Sequence, residues 1–539
     1  MKKLLYNKWV ILFFNVIVFA LMAWLLPIHF EENDDVSMCM IANGVYSGVP
    51  DGHLVFINAL YGWIVAGLYR LTRIVEWYTL SFCVLHILSM TGIVYLVLRD
   101  DRMNSVIKVF LLIVLYVLWA RVIIAFQFTT TAGLLCFSGC LALLHSNRKW
   151  KVVGVGAVFV ASLIRFQAAG LVGLMCAPLF LIEFFRERSI ASWALLAILF
   201  VLAGRLSEQL FYMQPEWAEY KAYDAIRGGI NDNPNGYLSE LDMPEDVNIE
   251  DYELLFVWHQ GDRGVLTYPR MKELKAKIDE RGIPYDCIML RIRQVFKSYR
   301  VWWMLVFEGL LLIVLLNVVN MRQKQKNSSR FERDVFATDK YWLYGVSLGF
   351  LVFVALAVYV CLTGMLKHRV FWCMLVPMVY REAKAFPVMG KNKIGFCLFS
   401  LMLLTLAGYT AKQIRKSIIW YQWDHAVMIS KELPLLEGKT GVIFPEAFTL
   451  EHLPPFEIKD VGFHITGRCW LTGNPLNKGT FESHRDFVEK DILYFHYADD
   501  EYFLLPLISR GIERNYGIPV EVEKVDSNDK YALYKFRKK

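Results

Sequence analysis

Charge is scarce in this chain. Asp, Glu, Lys and Arg make up 20% of its 539 residues, whereas 56% are hydrophobic. Soluble globular domains carry about a quarter charged residues, so the deficit argues against a single water-exposed domain. The phosphate-binding loop GxxxxGK[ST] and the GxGxxG dinucleotide fingerprint are missing, and no GxSxG nucleophile elbow stands out. That disfavours a phosphate-loop ATPase and a soluble nucleotide-sugar transferase with its own dinucleotide-type domain. No C-x-x-C pair occurs among the ten cysteines, so neither a zinc ribbon nor a disulfide framework is supported. Cys83, Cys136, Cys140, Cys176 and Cys361 fall inside apolar runs and act as small hydrophobes. No internal repeat or low-complexity tract is visible. The net charge of +7 is modest and lies in patches between apolar blocks, which suits loop anchoring at a membrane and not a nucleic-acid partner.

What the chain does have is long hydrophobic runs. A membrane-crossing helix needs about 20 mostly apolar residues. Blocks near that length lie at 9–28, 77–98, 105–125, 128–145, 151–168, 169–185, 191–211, 301–320, 341–363, 369–386 and 393–412. The sequence therefore predicts a mostly α, polytopic membrane bundle of about 11 spans. The first block follows MKKLLYNKW and has no small-residue cleavage site after it, so it reads as an uncleaved span. Basic stretches at the start, at 145–151, 185–189, 321–330 and 381–393 all fall on the cytoplasmic side if the blocks are taken in order. This assignment leaves out HLVFINALYGWIVAGLYRL at 53–71, where Tyr61, Trp63 and Tyr69 suit the headgroup region. Asn58 and Arg70 would be costly at mid-membrane, so the segment is expected to lie on the outer surface as an interfacial helix. The competing reading is a true second span.

The resulting topology places the N-terminus in the cytoplasm of a plasma-membrane protein. Facing outward are the loop at 29–76, a loop of about 90 residues at 212–300, a turn near 364–368 and the tail from 413. Residues 1–412 form the membrane domain. In the tail, strand-like TGVIF, DVGFHIT and DILYFHY alternate with helix-like FLLPLISRGIERNYG, and VEVEKVDSNDKYALYKF reads as a hairpin. A small α/β domain at 413–539 follows. Within the long loop, YPRMKELKAKIDERG carries a helical pattern.

The residues with the clearest chemical promise are in HFEENDDVSMCMIANGVYSGVPDGH, 29–53, immediately after the first span. Glu31, Glu32, Asp34 and Asp35 crowd there. Burial and neighbouring carboxylates both raise a carboxyl pKa towards the working pH of a general base. The same oxygens could instead hold a divalent cation such as Mg or Mn, and a solvated acidic loop is the bland alternative. A helical stretch, a Val-Pro-Asp-Gly turn, the aromatic surface helix and the second span come next.

In this order of elements the chain resembles the GT-C superfamily of membrane glycosyltransferases, which use lipid-phosphate-linked sugars. The matching residues are Glu31 to Asp35, Pro50, Asp51 and GLYRL at 67–71. The likeness in topology extends along most of the chain, and the motif covers about 45 residues. It implies a polyprenyl-phosphate or diphosphate donor, a glycan, lipid or polymer acceptor, inversion at the anomeric carbon and work at the outer face. Four acids stand here where the family often has a tight Asp-Glu or Glu-x-Asp. The base is therefore Asp35 or Asp34, with Glu32 next.

Basic residues at span edges form a second group. Arg165 and Gln167 in SLIRFQAAG interrupt an apolar block, and Lys367, His368 and Arg369 occupy the short turn before a late span. An Arg at membrane depth usually has a partner or faces a cavity, and a lipid phosphate suits a guanidinium. Interface snorkelling is the simpler account of Lys367 and His368. The resemblance implies that Arg165, Arg369, Lys367 and His368 hold the donor phosphate. Gln127 and Thr129 in QFTTT could line a cavity or only satisfy backbone groups at a helix end. With Gln167, Asp51 and Asn58, Gln127 completes the candidate substrate contacts. His259 and His464 have no metal-ligand spacing, and the WHQ and RCW segments offer either sugar-stacking surfaces or core aromatics. The rival functions are a lipid-linked-saccharide transporter or flippase, which more often shows repeats and mid-span polar residues, and a polysaccharide polymerase. A non-catalytic assembly subunit is the remaining alternative.

Overall fold

The computed structural model describes residues 7–539 apart from 102, 186, 234–235, 257–261, 326–329, 364–365, 387–392, 444–449, 468 and 500–503. The chain begins with helix α1 (Lys8–Leu25), capped by the Asn7 side chain on the Trp9 N–H. Pro27 cannot continue a helix, and the chain leaves α1 extended. The two-residue strand β1 (His29–Phe30) follows, then α2 (Asn33–Asn43), α3 (Ala59–Leu71), α4 (Trp77–Arg99) and α5 (Ser105–Ile124). Directly after α5, β2 (Ala125–Phe126) pairs in parallel with β1, so the ends of α1 and α5 lie side by side. Helices α6 (Phe128–Leu143), α7 (Arg148–Ile164), α8 (Phe166–Phe184) and α9 (Ser189–Phe211) complete the first half.

The surface segment is a 13-residue helix, α3, about 20 Å long at 1.5 Å per residue and too short to cross a bilayer. Asn58 caps it, and its side-chain N–H donates to Gly204 O of α9 at 2.7 Å. Gly62 lets α3 approach the Pro50–Gly52 turn closely, because a Cβ there would meet Gly52 O at 2.1 Å. Arg70, from the GLYRL element, reaches back to Pro50 O at 2.9 Å.

The long loop folds as α10 (Pro215–Asn231), α11 (Ile249–Phe256), α12 (Tyr268–Glu280) and α13 (Tyr285–Ser298). It has its own core of Tyr223, Ile230, Tyr252, Met271, Leu274 and Ile278. Next come α14 (Arg300–Gln325), α15 (Arg330–Thr363), α16 (His368–Ala385), α17 (Lys393–Val427) and a short α18 (Leu433–Leu436). Among the described residues seven helices are long and apolar enough to cross a membrane. They include the predicted blocks starting at 77, 105, 169, 191 and 393. The predicted blocks at 128–145 and 151–168 are also helical but only 16 and 17 residues long. Helix α6 is buried along almost its whole length, so neighbouring helices, not lipid, surround it.

Helix α17 does not stop at 412 but continues to Val427 and through a π-turn at Met428–Glu432. Beyond it β3 (Val442–Ile443), β4 (Ile465–Gly467), α19 (Asp486–Glu489), β5 (Leu493–Tyr497), α20 (Leu504–Tyr516), β6 (Val520–Ser527) and β7 (Tyr531–Lys538) build a mixed sheet of order β4-β3-β5-β7-β6. The predicted hairpin is β6–β7. Alternation along these strands sends Phe495, Tyr531 and Leu533 into the main core, and Tyr494, Ala532 and Tyr534 against α20. The sheet is thus packed onto the helical body, not tethered beside it.

Candidate active site

The acidic cluster is the first turn of α2. Glu32 occupies its N-cap position in extended conformation, and Asp34 and Asp35 sit in the turn after it, where the positive end of the helix dipole favours carboxylates. Gly44 closes the helix with φ +83°, and a Cβ there would be 2.6 Å from Pro50 N, so the chain can fold straight into the Pro50 turn. The β1–β2 pairing fixes the approach from the other side, with Glu31 N–H donating to Phe126 O at 2.9 Å.

Glu31 and Glu32 precede the helix, and Asp34 and Asp35 diverge by about 100° within it, so the acids face different neighbours. Glu32 pairs with Arg369 at the start of α16. Asp34 accepts from Trp470 Nε1 at 2.9 Å. Asp35 is fully buried; its Oδ1 accepts from the Tyr78 hydroxyl at 3.0 Å and from Phe128 N–H at 3.3 Å. Its Oδ2 is also buried and has no hydrogen-bond partner. Burial pushes the Asp35 carboxyl well above the ordinary aspartate range, and the charge of Asp34 adds to this, while Tyr78 and Phe128 N–H oppose it. Desolvation likewise raises Glu31, against the charges of Arg121 and Arg369.

The cations fall into place around this turn. Arg165 stands at the break between α7 and α8, with φ −153° and ψ 100°, where it ends one helix and starts the next. Its guanidinium lies between the rings of Phe128, at 5.2 Å, and Phe56, at 5.9 Å, and donates to Phe56 O at 3.4 Å. Asp34, Asp35 and Arg369 are close enough to act on it electrostatically. Lys367 and His368 are exposed beside Arg369, and the His368 ring meets Tyr299 edge-on at 5.0 Å. The structure thereby unites Glu31, Glu32, Asp34, Asp35, Arg165 and Arg369, with Lys367 and His368 at the margin.

Other sequence candidates have different surroundings. Gln127 is fully buried and caps α6 through Thr129 N–H, and its carbonyl accepts the Thr130 and Thr131 hydroxyls at 2.9 Å. That network has a fixed direction. Trp119 Nε1 donates to His86 Nδ1, so His86 carries its proton on Nε2 and donates to Thr131 Oγ1. Asp51 accepts from the His53 ring at 2.7 Å, and His53 stacks on Trp217 at 4.2 Å, tying the turn to the long loop. Asn58 is occupied as a cap, and Gln167 is exposed on the first turn of α8. His464 bonds Tyr46 O at 2.6 Å, whereas the WHQ segment with His259 lies outside the described residues. Trp470, from the RCW segment, is buried, with Phe56 edge-on at 4.9 Å.

Tyr78 and Glu76 were not singled out from sequence, and Trp470 was named only within the RCW segment. Tyr78 could have been suspected only from its place one residue into the second span, a common spot for interfacial tyrosine. The indole N–H of Trp470 reaches Asp34 across 436 residues of chain, a pairing no local pattern reveals. Glu76 is buried and receives the Tyr69 hydroxyl, the Cys39 thiol at 3.0 Å and Lys459 N–H at 3.0 Å. It locks α2, α3 and the C-terminal region together just behind the cluster.

The engaged oxygens of Glu32, Asp34 and Asp35 point to Arg369, Trp470 and Tyr78, and among the described residues no three His, Cys, Asp or Glu side chains converge as a metal-binding set.

No family model and no curated protein matches the chain. Among solved structures it is similar to ArnT from Cupriavidus metallidurans in the apo state, with 12% identity and a TM-score of 0.39 over 98% of this chain and 97% of that one. It is similar also to the same protein bound to undecaprenyl phosphate, with 11% identity and a TM-score of 0.38 over 97% of both chains.

Proposed function

We propose that the chain is an integral-membrane glycosyltransferase of GT-C type. Its donor is a sugar on polyprenyl phosphate or diphosphate, and its acceptor a glycan, lipid or surface polymer at the outer face of the plasma membrane. The observation that carries this reading is Asp35 Oδ2, a buried carboxylate oxygen without a partner in the first turn of α2, the helix that follows the first membrane helix. Buried polar atoms in native proteins are rarely left unpaired, and an exception calls for an explanation. An acceptor hydroxyl bonded to Oδ2 would supply the missing partner and stand ready to lose its proton.

The step balances as a single displacement. The acceptor O–H gives its proton to Asp35, its oxygen bonds the anomeric carbon, and the bond from that carbon to the lipid phosphate oxygen breaks. The electron pair leaves on the phosphate. Arg369, and Arg165 from the other side, supply positive charge for it, and Lys367 extends that field outward. The burial that raises Asp35 makes it a stronger proton acceptor than a solvated aspartate. No step is assigned to a divalent ion.

Purified protein, a synthetic polyprenyl-phosphate sugar and candidate acceptors test the proposal. Acceptor-dependent release of free polyprenyl phosphate is expected. Movement of intact donor across vesicle membranes without cleavage would contradict the proposal in favour of transport.

A further inference from the structure

Helix α13 takes no part in the cluster, and it is amphipathic in an unusual sense. One arc faces protein. Val295 is buried, and Arg291 donates to Cys361 O at 3.4 Å. Tyr299, just past its end, stacks on Phe371 at 4.2 Å and donates to Leu366 O at 2.9 Å. These contacts pin α13 to the ends of α15 and α16, the end of the bundle that bears Lys367 and Arg369.

The opposite arc is open. Tyr285 and Phe296 are 72% and 53% exposed. At 100° per residue, Tyr285, Met289 and Phe296 project within roughly 40° of one another, and Arg293 and Lys297 occupy the adjoining arc, with Arg300 following as the first residue of α14. Leu290, 56% exposed, flanks the far side of that basic arc. The three cations are exposed, and none forms an ion pair with a described acid. Exposed apolar side chains follow on α14, where Met304, Phe307 and Leu311 are 49%, 52% and 47% exposed. A row of large apolar side chains would be costly against water. Next to the exposed apolar side chains of α14, and bordered by a basic arc, it matches a helix lying at the headgroup boundary.

We propose that α13 lies in the lipid–water interface and that its Arg293 and Lys297, with Arg300 at the start of α14, bind anionic phospholipid head groups. This holds whether or not the transferase reading does. It is tested on full-length protein in phosphatidylcholine nanodiscs containing trace spin-labelled phosphatidylglycerol or spin-labelled phosphatidylcholine. Wild type is expected to associate preferentially with the anionic probe, and high salt should erase the preference. Each basic residue near an anionic surface contributes about fivefold. The Arg293→Gln/Lys297→Gln/Arg300→Gln variant should therefore lose most of the preference, and Arg293→Lys/Arg300→Lys should retain it. Equal association of both probes with wild type, or an unchanged preference in the triple variant, would overturn the proposal. Should the triple variant fail to fold, the salt titration of wild type and the lysine variant decide.

Discussion

Replacing Tyr78 with Phe removes one atom from the candidate site and nothing else. The ring is fully buried between Phe82, at 4.7 Å, and Phe30, at 6.1 Å, and Phe preserves those contacts. What disappears is the hydroxyl that donates to Asp35 Oδ1 at 3.0 Å, leaving Phe128 N–H at 3.3 Å as that oxygen's donor. A hydrogen bond to a charged group contributes about 1.5–3 kcal/mol net. At 1.36 kcal/mol per factor of ten, its loss disfavours the ionised Asp35 by about 10- to 100-fold. Burial already raises Asp35, and Tyr78→Phe should raise it further. The acidic limb of the kcat/KM profile for sugar transfer then moves to higher pH. On that limb activity falls by about 10- to 100-fold, while the plateau at high pH stays near wild type. The assay is release of polyprenyl phosphate across a pH series, with a thermal melt to confirm folding. A uniform loss at every pH, or an unmoved limb, would refute a general-base role for Asp35.

Three further outcomes are expected. Arg369→Gln strips Glu32 of its cationic partner and the leaving phosphate of positive charge, so kcat/KM for donor should drop about 10- to 100-fold, with partial recovery in Arg369→Lys. Glu76 is raised above the ordinary glutamate value by burial. The folded chain thus holds a proton that the unfolded chain releases, and its contribution to stability is complete below the unfolded pKa and lost as pH rises through the folded one. Unfolding of wild type and Glu76→Gln from about pH 5 to about pH 8 should diverge by at most about 1.4 kcal/mol per pH unit, and parallel curves would contradict the assignment. Finally, the divergent acids predict that transfer persists in EDTA, as shown by polyprenyl phosphate release before and after chelation.

The site was partly visible in the sequence because its core is local. EENDD lies next to the first span, and an acidic run in that place has few structural reasons to exist beyond a helix N-terminus. The surface helix was legible from Asn58 and Arg70 in an otherwise apolar run, and the structure uses both to dock it. Arg165 was legible as a charge in apolar sequence. What stayed hidden depends on long-range pairing. The parallel β1–β2 contact brings residues 30 and 126 together through two hydrogen-bonded strands of two residues each, too short for any periodicity. Trp470 looked like core packing and is buried, yet its N–H orients Asp34. The continuation of α17 beyond 412 was missed because hydropathy reports transfer into lipid, not where a helix ends. KQIRKSIIWYQWDHAV is polar enough to leave the membrane and still helical.

The central claim is that Asp35 takes the acceptor proton. The direct measurement is transfer of radiolabelled sugar from membrane lipid to acceptor, in membranes carrying wild type, Asp34→Asn or Asp35→Asn at matched protein levels. The account predicts that Asp35→Asn abolishes transfer while labelled lipid donor accumulates, and that Asp34→Asn retains a measurable fraction. Undiminished transfer with Asp35→Asn would contradict it.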